Sequence, residues 1–319
     1  MDILSDILGL MRVKGTLYFR TDFSSPWGVQ VPAYRNVARF HLVCRGKVWL
    51  KVNGNEDPIF LKKGDMAVVM NGAAHVISCS PPTLEEALEL DEVVEKSGYT
   101  GEGALVYGGN ITKKKETTQL ICGHFSMDKD ANHPLLAALP SFIHVSDDKG
   151  EVYQWLASTL KLIGDQTDTE MLGRELISFK LAELLFAQAV RFYLSEKGED
   201  KLVFKGLTDK HISTVLQALH RNPAYNWKLE EMAKLAGLSR TNYVAHFLAL
   251  MGVTPRQYLI NWRMQMGREM LAYSGMPVVH IAEHCGYGSE AAFGRIFKRH
   301  FALAPATYRR MRKLEKKAA

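Results

Sequence analysis

The sequence predicts a multidomain β + α protein, in which a β-rich N-terminal part is followed by helices and then by an all-α C-terminal third. Between Gly15 and about Ser80, short runs of strand-forming residues alternate with Gly and Asn turn signals. After Asn132 the apolar residues recur at helical spacing, and between Trp227 and Arg310 one pattern occurs twice. A chain of 319 residues is long enough for two or three domains with separate cores.

The N-terminal part begins with an amphipathic segment, residues 2–11, which predicts a short helix. Short strands are predicted after it, and Asn53-Gly54 has the composition of a hairpin turn. Many short strands in series are typical of an antiparallel barrel or sandwich, which we expect over residues 1–145. The predicted strands are Gly15–Arg20, Ala38–Cys44, Lys47–Val52, Ile59–Leu61, Met66–Val69, His75–Ser78, Ala104–Tyr107 and Thr117–Met127.

The segment Thr83–Gly103 is strongly acidic and ends in glycine-rich sequence. This composition predicts a mobile, solvated excursion between strands, and a lid over a pocket is the alternative. Its acidic residues are Glu85, Glu86, Glu89, Asp91, Glu92, Glu95 and Glu102.

Two long amphipathic helices are predicted at Glu151–Ile163 and Met171–Leu194. The second has more apolar surface than one face needs, so it either pairs between subunits or packs on its own barrel. Residues 146–200 are therefore predicted as a helical dimerisation segment and linker, and Thr208 is predicted to cap the first helix of a domain at 201–319. The surplus apolar residues are Leu172, Leu176, Phe179, Leu184 and Phe186.

The repeated pattern pairs Leu229–Ser239 with Val278–Ser289 at an offset of about 50 residues. In each copy a short apolar helix runs into a glycine, Gly237 or Gly286, which supplies the positive φ of a tight turn. Ser239 is placed to cap the helix that follows. A short helix, a glycine turn and a second helix is the helix-turn-helix, whose second helix enters the DNA major groove.

The charge of the chain is divided unevenly along its length. The net charge is +6, but from Lys205 onward there are 18 Lys and Arg against 7 Asp and Glu. A basic C-terminal domain next to an acidic N-terminal part indicates binding to a polyanion through the former.

The repeated stretch resembles the tandem helix-turn-helix domain of the AraC/XylS family of bacterial transcription regulators. The residues that carry the resemblance are Leu229–Ser239, Thr254-Pro255, Ile281-Ala282, Gly286–Ser289, Phe293, Phe297, Phe301, Pro305 and Tyr308-Arg309. The N-terminal part is similar to the cupin-like β-barrel of one subgroup, through Gly64, Gly72 and His75. Met70 and Cys79 stand where the cupin motif usually has proline and asparagine. Arg39 takes the place of a metal-binding glutamate.

The resemblance implies a set of DNA-contacting residues on the second helix of each repeat. Arg295 can fork onto guanine, Glu290 can accept from cytosine N4, and Thr241 can meet a thymine methyl group. Val244, Ala245 and Gly294 are small for base contacts. The implied base-contacting residues are Thr241, Val244, Ala245, Glu290, Ala291, Gly294 and Arg295. The phosphate candidates are Arg240, Arg263, Arg268, Lys298 and Arg299.

Three kinds of interior site are predicted in the β-rich part. Arg39, His41 and His75 are candidates for an effector pocket, in which Arg39 either holds an anion or pairs with a carboxylate. Cys44, Cys79 and Cys122 are candidates for a redox switch, with inert buried thiols as the alternative. His41, His75, Cys122 and His124 are of metal-binding types and are the weak candidates for a metal site, but they lack the cupin ligand set. We therefore expect no cofactor, with a bound divalent metal as the alternative.

The predicted function is a cytoplasmic transcription regulator that is not an enzyme. Its expected partners are double-stranded DNA, RNA polymerase, a second copy of the chain and a small-molecule effector, without a membrane. The alternative from another class is a metal-dependent cupin enzyme with a DNA-binding tether, and a third possibility is a DNA-binding protein whose barrel only dimerises.

Overall fold

The structure is a computed structural model that describes residues 2–55, 57–81, 87–101, 103–109, 117–146, 158–159, 172–197 and 201–318. The chain forms two compact units. The β-rich unit comprises Arg12–Lys129 and Leu139–Glu196, and the helical unit comprises Met1–Met11, Asp130–Ala138 and Lys197–Ala319. The predicted domains differ from these units, because the N-terminal helix and residues 130–138 fold with the C-terminal helices.

The β-rich unit contains two sheets. In the first, the strand order is β11-β6-β3-β10-β1-β9, and in the second it is β5-β4-β7-β2-β8. Neither sheet is closed among the described residues, so the predicted barrel is here a pair of facing sheets. The strands are β1 (Lys14–Ser24), β2 (Gly28–Val31), β3 (Val37–Arg45), β4 (Lys47–Val52), β5 (Ile59–Lys62), β6 (Met66–Val69), β7 (His75–Ser78), β8 (Leu88–Glu89), β9 (Ala104–Gly108), β10 (Thr117–Ser126) and β11 (Phe142–Val145).

Because successive side chains of a strand point to opposite faces, apolar residues cover both faces of the first sheet. Val43 and Leu120 point into the core between the sheets, while Phe40 and Phe125 point away from it. These two rings stack at 4.8 Å, and Phe125 packs on Phe186 of helix α4 (Arg174–Lys197). The predicted helix Met171–Leu194 is thus confirmed with shifted ends, whereas the predicted helix Glu151–Ile163 lies mostly outside the described residues.

The described part of the acidic segment is structured and not an excursion. Helix α2 runs over Leu90–Ser97 and ends at Gly98 with φ of 65°. Val93 is fully buried in the core of the unit, and Leu90 and Val94 pack against that core. The prediction of a mobile loop is wrong here, because one apolar face of a charged helix is enough to anchor it.

The helical unit is built from ten of the helices that the described residues form. They are α1 (Ile3–Met11), α3 (Pro134–Ala138), α5 (Leu202–Thr208), α6 (Ile212–Arg221), α7 (Leu229–Leu235), α8 (Arg240–Met251), α9 (Pro255–Tyr273), α10 (Val278–His284), α11 (Glu290–Phe301) and α12 (Pro305–Ala318). Thr208 ends α5 and does not cap α6; instead the Asp209 carboxylate accepts from the backbone N–H of Ile212 at 2.9 Å. No helix formed by the described residues is long and apolar enough to cross a membrane.

Candidate nucleic-acid interface and interior polar site

The two copies of the repeat have the same local construction. Gly237 and Gly286 have φ of 64° and 74°, which a residue with a Cβ rarely adopts. Ser239 and Ser289 then accept from the backbone N–H three residues on, which begins α8 and α11. The predicted turns and the predicted cap at Ser239 are confirmed.

Buried aromatic pairs fix the rotation of each second helix. Tyr243 and Phe247 of α8 are fully buried, as are Phe293 and Phe297 of α11. The opposite faces therefore point outward. Thr241 and Ala245 are exposed on α8 and Val244 is half-buried; Glu290, Ala291 and Arg295 are exposed on α11 and Gly294 is half-buried.

Three of the predicted phosphate contacts are available at the surface. Arg240 is exposed and pairs with Glu230 at 3.0 Å, an ion pair that costs little to exchange for a phosphate because both groups are solvated. Lys298 and Arg299 are exposed near the end of α11. They form the accessible positive charge beside the second candidate base-reading face.

Arg268 is a correction, because it lies inside the helical unit. Its side chain is fully buried, and its Nη2 donates to the carbonyl oxygen of Leu10 at 2.9 Å. A guanidinium in this position cannot reach a DNA phosphate. It ties the linker helix α9 to the end of α1.

Arg263 is also a correction. Its Nε and Nη2 each donate at 2.8 Å to backbone carbonyls, those of Pro223 and Tyr225. The guanidinium carbon lies 5.6 Å from the centre of the Tyr287 ring. Arg263 therefore holds the loop before α7 against the second repeat and serves the scaffold.

A buried polar chain crosses the helical unit, and nothing in the sequence pattern predicts it. His133 Nδ1 accepts from the Leu135 N–H at 3.1 Å, so its Nε2 carries the proton and donates to the Tyr258 hydroxyl at 3.0 Å. Tyr258 then donates to His220 Nε2 at 2.8 Å, and His220 Nδ1 donates to Asp6 at 3.3 Å. Burial lowers the pKa values of His133 and His220 to about 3, so both imidazoles are neutral.

A second buried polar chain lies inside the β-rich unit and contains the predicted interior residues. His75 Nδ1 lies 2.9 Å from the Ala73 carbonyl, so it must donate, and its Nε2 accepts from His41 Nε2 at 2.7 Å. His41 Nδ1 then accepts from the Cys122 thiol at 3.2 Å. Burial lowers the pKa of His75 to about 4 and lowers that of His41 well below its ordinary value.

Two thiols of the predicted redox switch, those of Cys44 and Cys122, are held in their protonated form. Burial raises the pKa values of Cys122 and Cys44, and the Cys122 hydrogen is donated to His41. A protonated thiol reacts slowly with oxidants. The Cys79 sulfur accepts from the Trp27 N–H at 3.3 Å and from the Ser25 hydroxyl at 3.4 Å.

The candidate metal ligands do not converge on one point. The His41 ring lies between its partners, with Cys122 at one nitrogen and His75 at the other. No group of three or more His, Cys, Asp or Glu side chains among the described residues is arranged to hold an ion. His124, which pairs in register with Arg39, is half-buried with a lowered pKa and does not complete such a group.

The fold and the exposed faces define a class of protein: a DNA-binding transcription regulator with a cupin domain before a tandem helix-turn-helix. Residues 2–195 match a cupin family model, and residues 232–311 match a helix-turn-helix domain model. The chain belongs to the cupin-containing AraC-like transcription regulators.

Relatives of this family match along nearly the whole chain. A protein of Streptomyces antibioticus named as an AraC-like transcription regulator is 31% identical over 314 residues, which cover 97% of this chain and 99% of the relative. The RCS-specific HTH-type transcriptional activator RclR of Escherichia coli K12 is 26% identical over 318 residues, covering 98% and 99%. The DNA-binding domain of AdpA, solved with a target DNA, is 28% identical with a TM-score of 0.33 and covers 35% of this chain and 99% of that domain.

Proposed function

We propose that α8 and α11 are the recognition helices of this regulator and that they enter successive segments of the major groove. The observation that carries the proposal is the pair of buried aromatic stripes, Tyr243/Phe247 and Phe293/Phe297, which turn the remaining faces outward. Two recognition helices joined by one linker helix suit major-groove segments about one helical turn, roughly 34 Å, apart.

The two helices have unequal parts in specificity. Arg295 is exposed on α11, and its guanidinium donates two hydrogen bonds to guanine O6 and N7. Glu290, on the same helix, accepts a hydrogen bond from cytosine N4. On α8, Thr241 contacts a thymine methyl group, while Val244 and Ala245 offer only small apolar surface. Arg240, Lys298 and Arg299 neutralise phosphates and set the register on the duplex.

Helix α4 is the proposed contact between two copies of the chain. One face, with Ala182, Leu185 and Val190, is buried within its own unit. The other exposes Leu176 at 62% and Leu184 at 45% of their surfaces, and solvent-exposed apolar rows of this kind mark interaction surfaces. Ile177 and Phe179, close to Leu176 in the first turns of the helix, are also exposed.

The β-rich unit acts as the sensor of a small-molecule effector, and occupancy shifts the balance between arrangements of the two DNA-binding units in the dimer. Regulation proceeds through contact with RNA polymerase, in the cytoplasm, where the chromosome is.

The chain carries out no reaction of its own. Metal analysis of purified protein together with a turnover screen tests this, and stoichiometric iron or manganese with activity would favour the enzyme alternative.

The base-reading role is tested by footprinting the full chain on its own upstream region at several salt concentrations. Arg295→Ala should lower affinity by about 1–3 kcal/mol, a factor of about 5 to 150, and relax one base position. The matched control is Arg221→Ala, which removes an exposed arginine at the end of α6, a helix that is not one of the two recognition helices. An Arg295→Ala footprint that equals that of the control refutes the assignment.

A further inference from the structure

A cavity lies between the two sheets of the β-rich unit and touches the buried polar chain. The volume open to the centre of a water molecule is about 30 Å³. Four residues with polar side chains contribute to its lining, Thr21, Arg39, His41 and Cys122. The rest is apolar, formed chiefly by Phe23, Val29, Val31, Ile77, Leu90 and Leu105.

Arg39 is the charged group in this lining. Only 6% of its surface is exposed, and among the described residues no carboxylate forms an ion pair with it. Its Nε has no hydrogen-bond partner there, and its guanidinium carbon lies 4.9 Å from the centre of the Tyr34 ring. A buried guanidinium without an anion is costly, because desolvation of the charge is not offset.

The other polar groups of the lining do not supply that anion. His41 and His75 are neutral, and Arg39 contributes to lowering the pKa values of both. Cys122 donates its hydrogen to His41 and is not a thiolate. Thr21 Oγ1 accepts from the Leu120 N–H at 3.0 Å, which leaves the hydroxyl hydrogen for another acceptor. The charged group that the cavity offers a ligand is therefore the Arg39 guanidinium.

The size and chemistry of the space limit what fits. One water needs roughly 10–15 Å³ of such volume, so the cavity holds a molecule of only a few non-hydrogen atoms. A carboxylate matches the planar fork of a guanidinium, and a short alkyl group suits the apolar end.

We propose that this cavity binds a small monocarboxylate, of the size of formate, acetate or propionate, with its carboxylate on Arg39 and its alkyl group toward the apolar residues of the lining. This inference rests on the proposed sensing function of the β-rich unit and names the class of its effector. The Arg39 charge is then paired only when the effector is present.

The test is isothermal titration calorimetry on the full chain at constant ionic strength. Sodium acetate and propionate should bind with saturation in the millimolar range or below, whereas acetamide, which has the same shape without charge, and sodium chloride should give none. Hexanoate should bind more weakly than propionate. Equal binding of acetamide, or tighter binding of hexanoate, would overturn the proposal without any variant.

Variants on one strand supply the matched comparison. Arg39→Gln should weaken propionate binding by about 10- to 100-fold, because it removes a charge-assisted pair. Arg45→Gln, on the same strand but exposed and paired with Asp22 at 3.2 Å, should bind propionate as the parent does. Retained binding in Arg39→Gln refutes the site.

Footprinting without and with propionate separates this inference from the proposed function. If the chain protects DNA but binds no short acid, the proposed class of effector is refuted and the DNA-binding role is kept. A chain that binds propionate with no change in its footprint keeps the site and loses the sensing role.

Discussion

Replacing Tyr258 by phenylalanine tests whether the buried polar chain of the helical unit stabilises it. The hydroxyl joins His133 and His220, which come from segments far apart in sequence, and the phenol ring itself is 2% exposed. Phenylalanine preserves the ring and removes only the oxygen.

The expected cost follows from the two hydrogen bonds that the oxygen makes. Tyr258→Phe removes both and leaves the His133 Nε2–H donor and the His220 Nε2 acceptor buried without partners. An unsatisfied buried polar group costs about 1–3 kcal/mol, so we expect a loss of about 2–4 kcal/mol in the free energy of unfolding.

The matched control is Tyr243→Phe in α8. The Tyr243 hydroxyl is buried and has no hydrogen-bond partner among the described residues, so its removal should be neutral or slightly stabilising. Both substitutions remove one oxygen from a buried phenol of the same unit.

Urea unfolding of the full chain, followed by far-ultraviolet circular dichroism and tryptophan fluorescence, measures both. The Trp262 ring stacks on His220 at 3.8 Å, so its emission reports on the affected cluster. A loss below about 1 kcal/mol in Tyr258→Phe, or equal losses in the two variants, would refute the assignment of tautomers and donors.

Two further predictions concern stability. The pKa values of His75, His133 and His220 are lowered to about 4, 3 and 3 in the folded chain, whereas an unfolded histidine titrates near pH 6.5. Below pH 6.5 the unfolded chain therefore takes up protons that the folded chain does not. The free energy of unfolding should be highest above pH 6.5 and should fall on acidification, by about 1 kcal/mol per group at pH 5.5. Equal urea midpoints at pH 7.5 and 5.5 would contradict this. Gly286→Ala should cost about 2 kcal/mol or more, because the site has φ of 74° and a Cβ would lie 2.6 Å from a backbone oxygen. Gly288→Ala, where a Cβ meets nothing within 4 Å, is the control, and equal thermal shifts would count against the argument.

The repeated helical pattern could be predicted from the sequence because its determinants are local. Gly237, Gly286 and Ser239 act within one turn of their own positions, and the aromatic pairs at i, i+4 define a face without reference to other segments. The short strands of the β-rich unit were likewise visible in the alternation of apolar residues and turn signals.

The errors concern contacts between distant segments. Arg268 looks like a surface residue because its burial depends on α1, which precedes it by more than 250 residues. Leu90, Val93 and Val94 have the spacing of a helix face, but the acidic residues around them dominated the composition. The register that brings His41 beside both Cys122 and His75 also depends on strand pairing that no local pattern fixes.

The assembly of the helical unit from three separate stretches has a consequence for modularity. Its residues come from Met1–Met11, Asp130–Ala138 and Lys197–Ala319, so no single junction in the chain separates a reader from a sensor. In a chimaera that keeps residues 1–200 of this chain and takes the remainder from another regulator, a foreign linker helix packs against this chain's α1. The hydrogen bond from Arg268 to the Leu10 carbonyl is then lost with α9. To transfer the DNA specificity of this regulator, Met1–Met11 and Asp130–Ala138 must be moved together with Lys197–Ala319, or only the exposed faces of α8 and α11 must be exchanged.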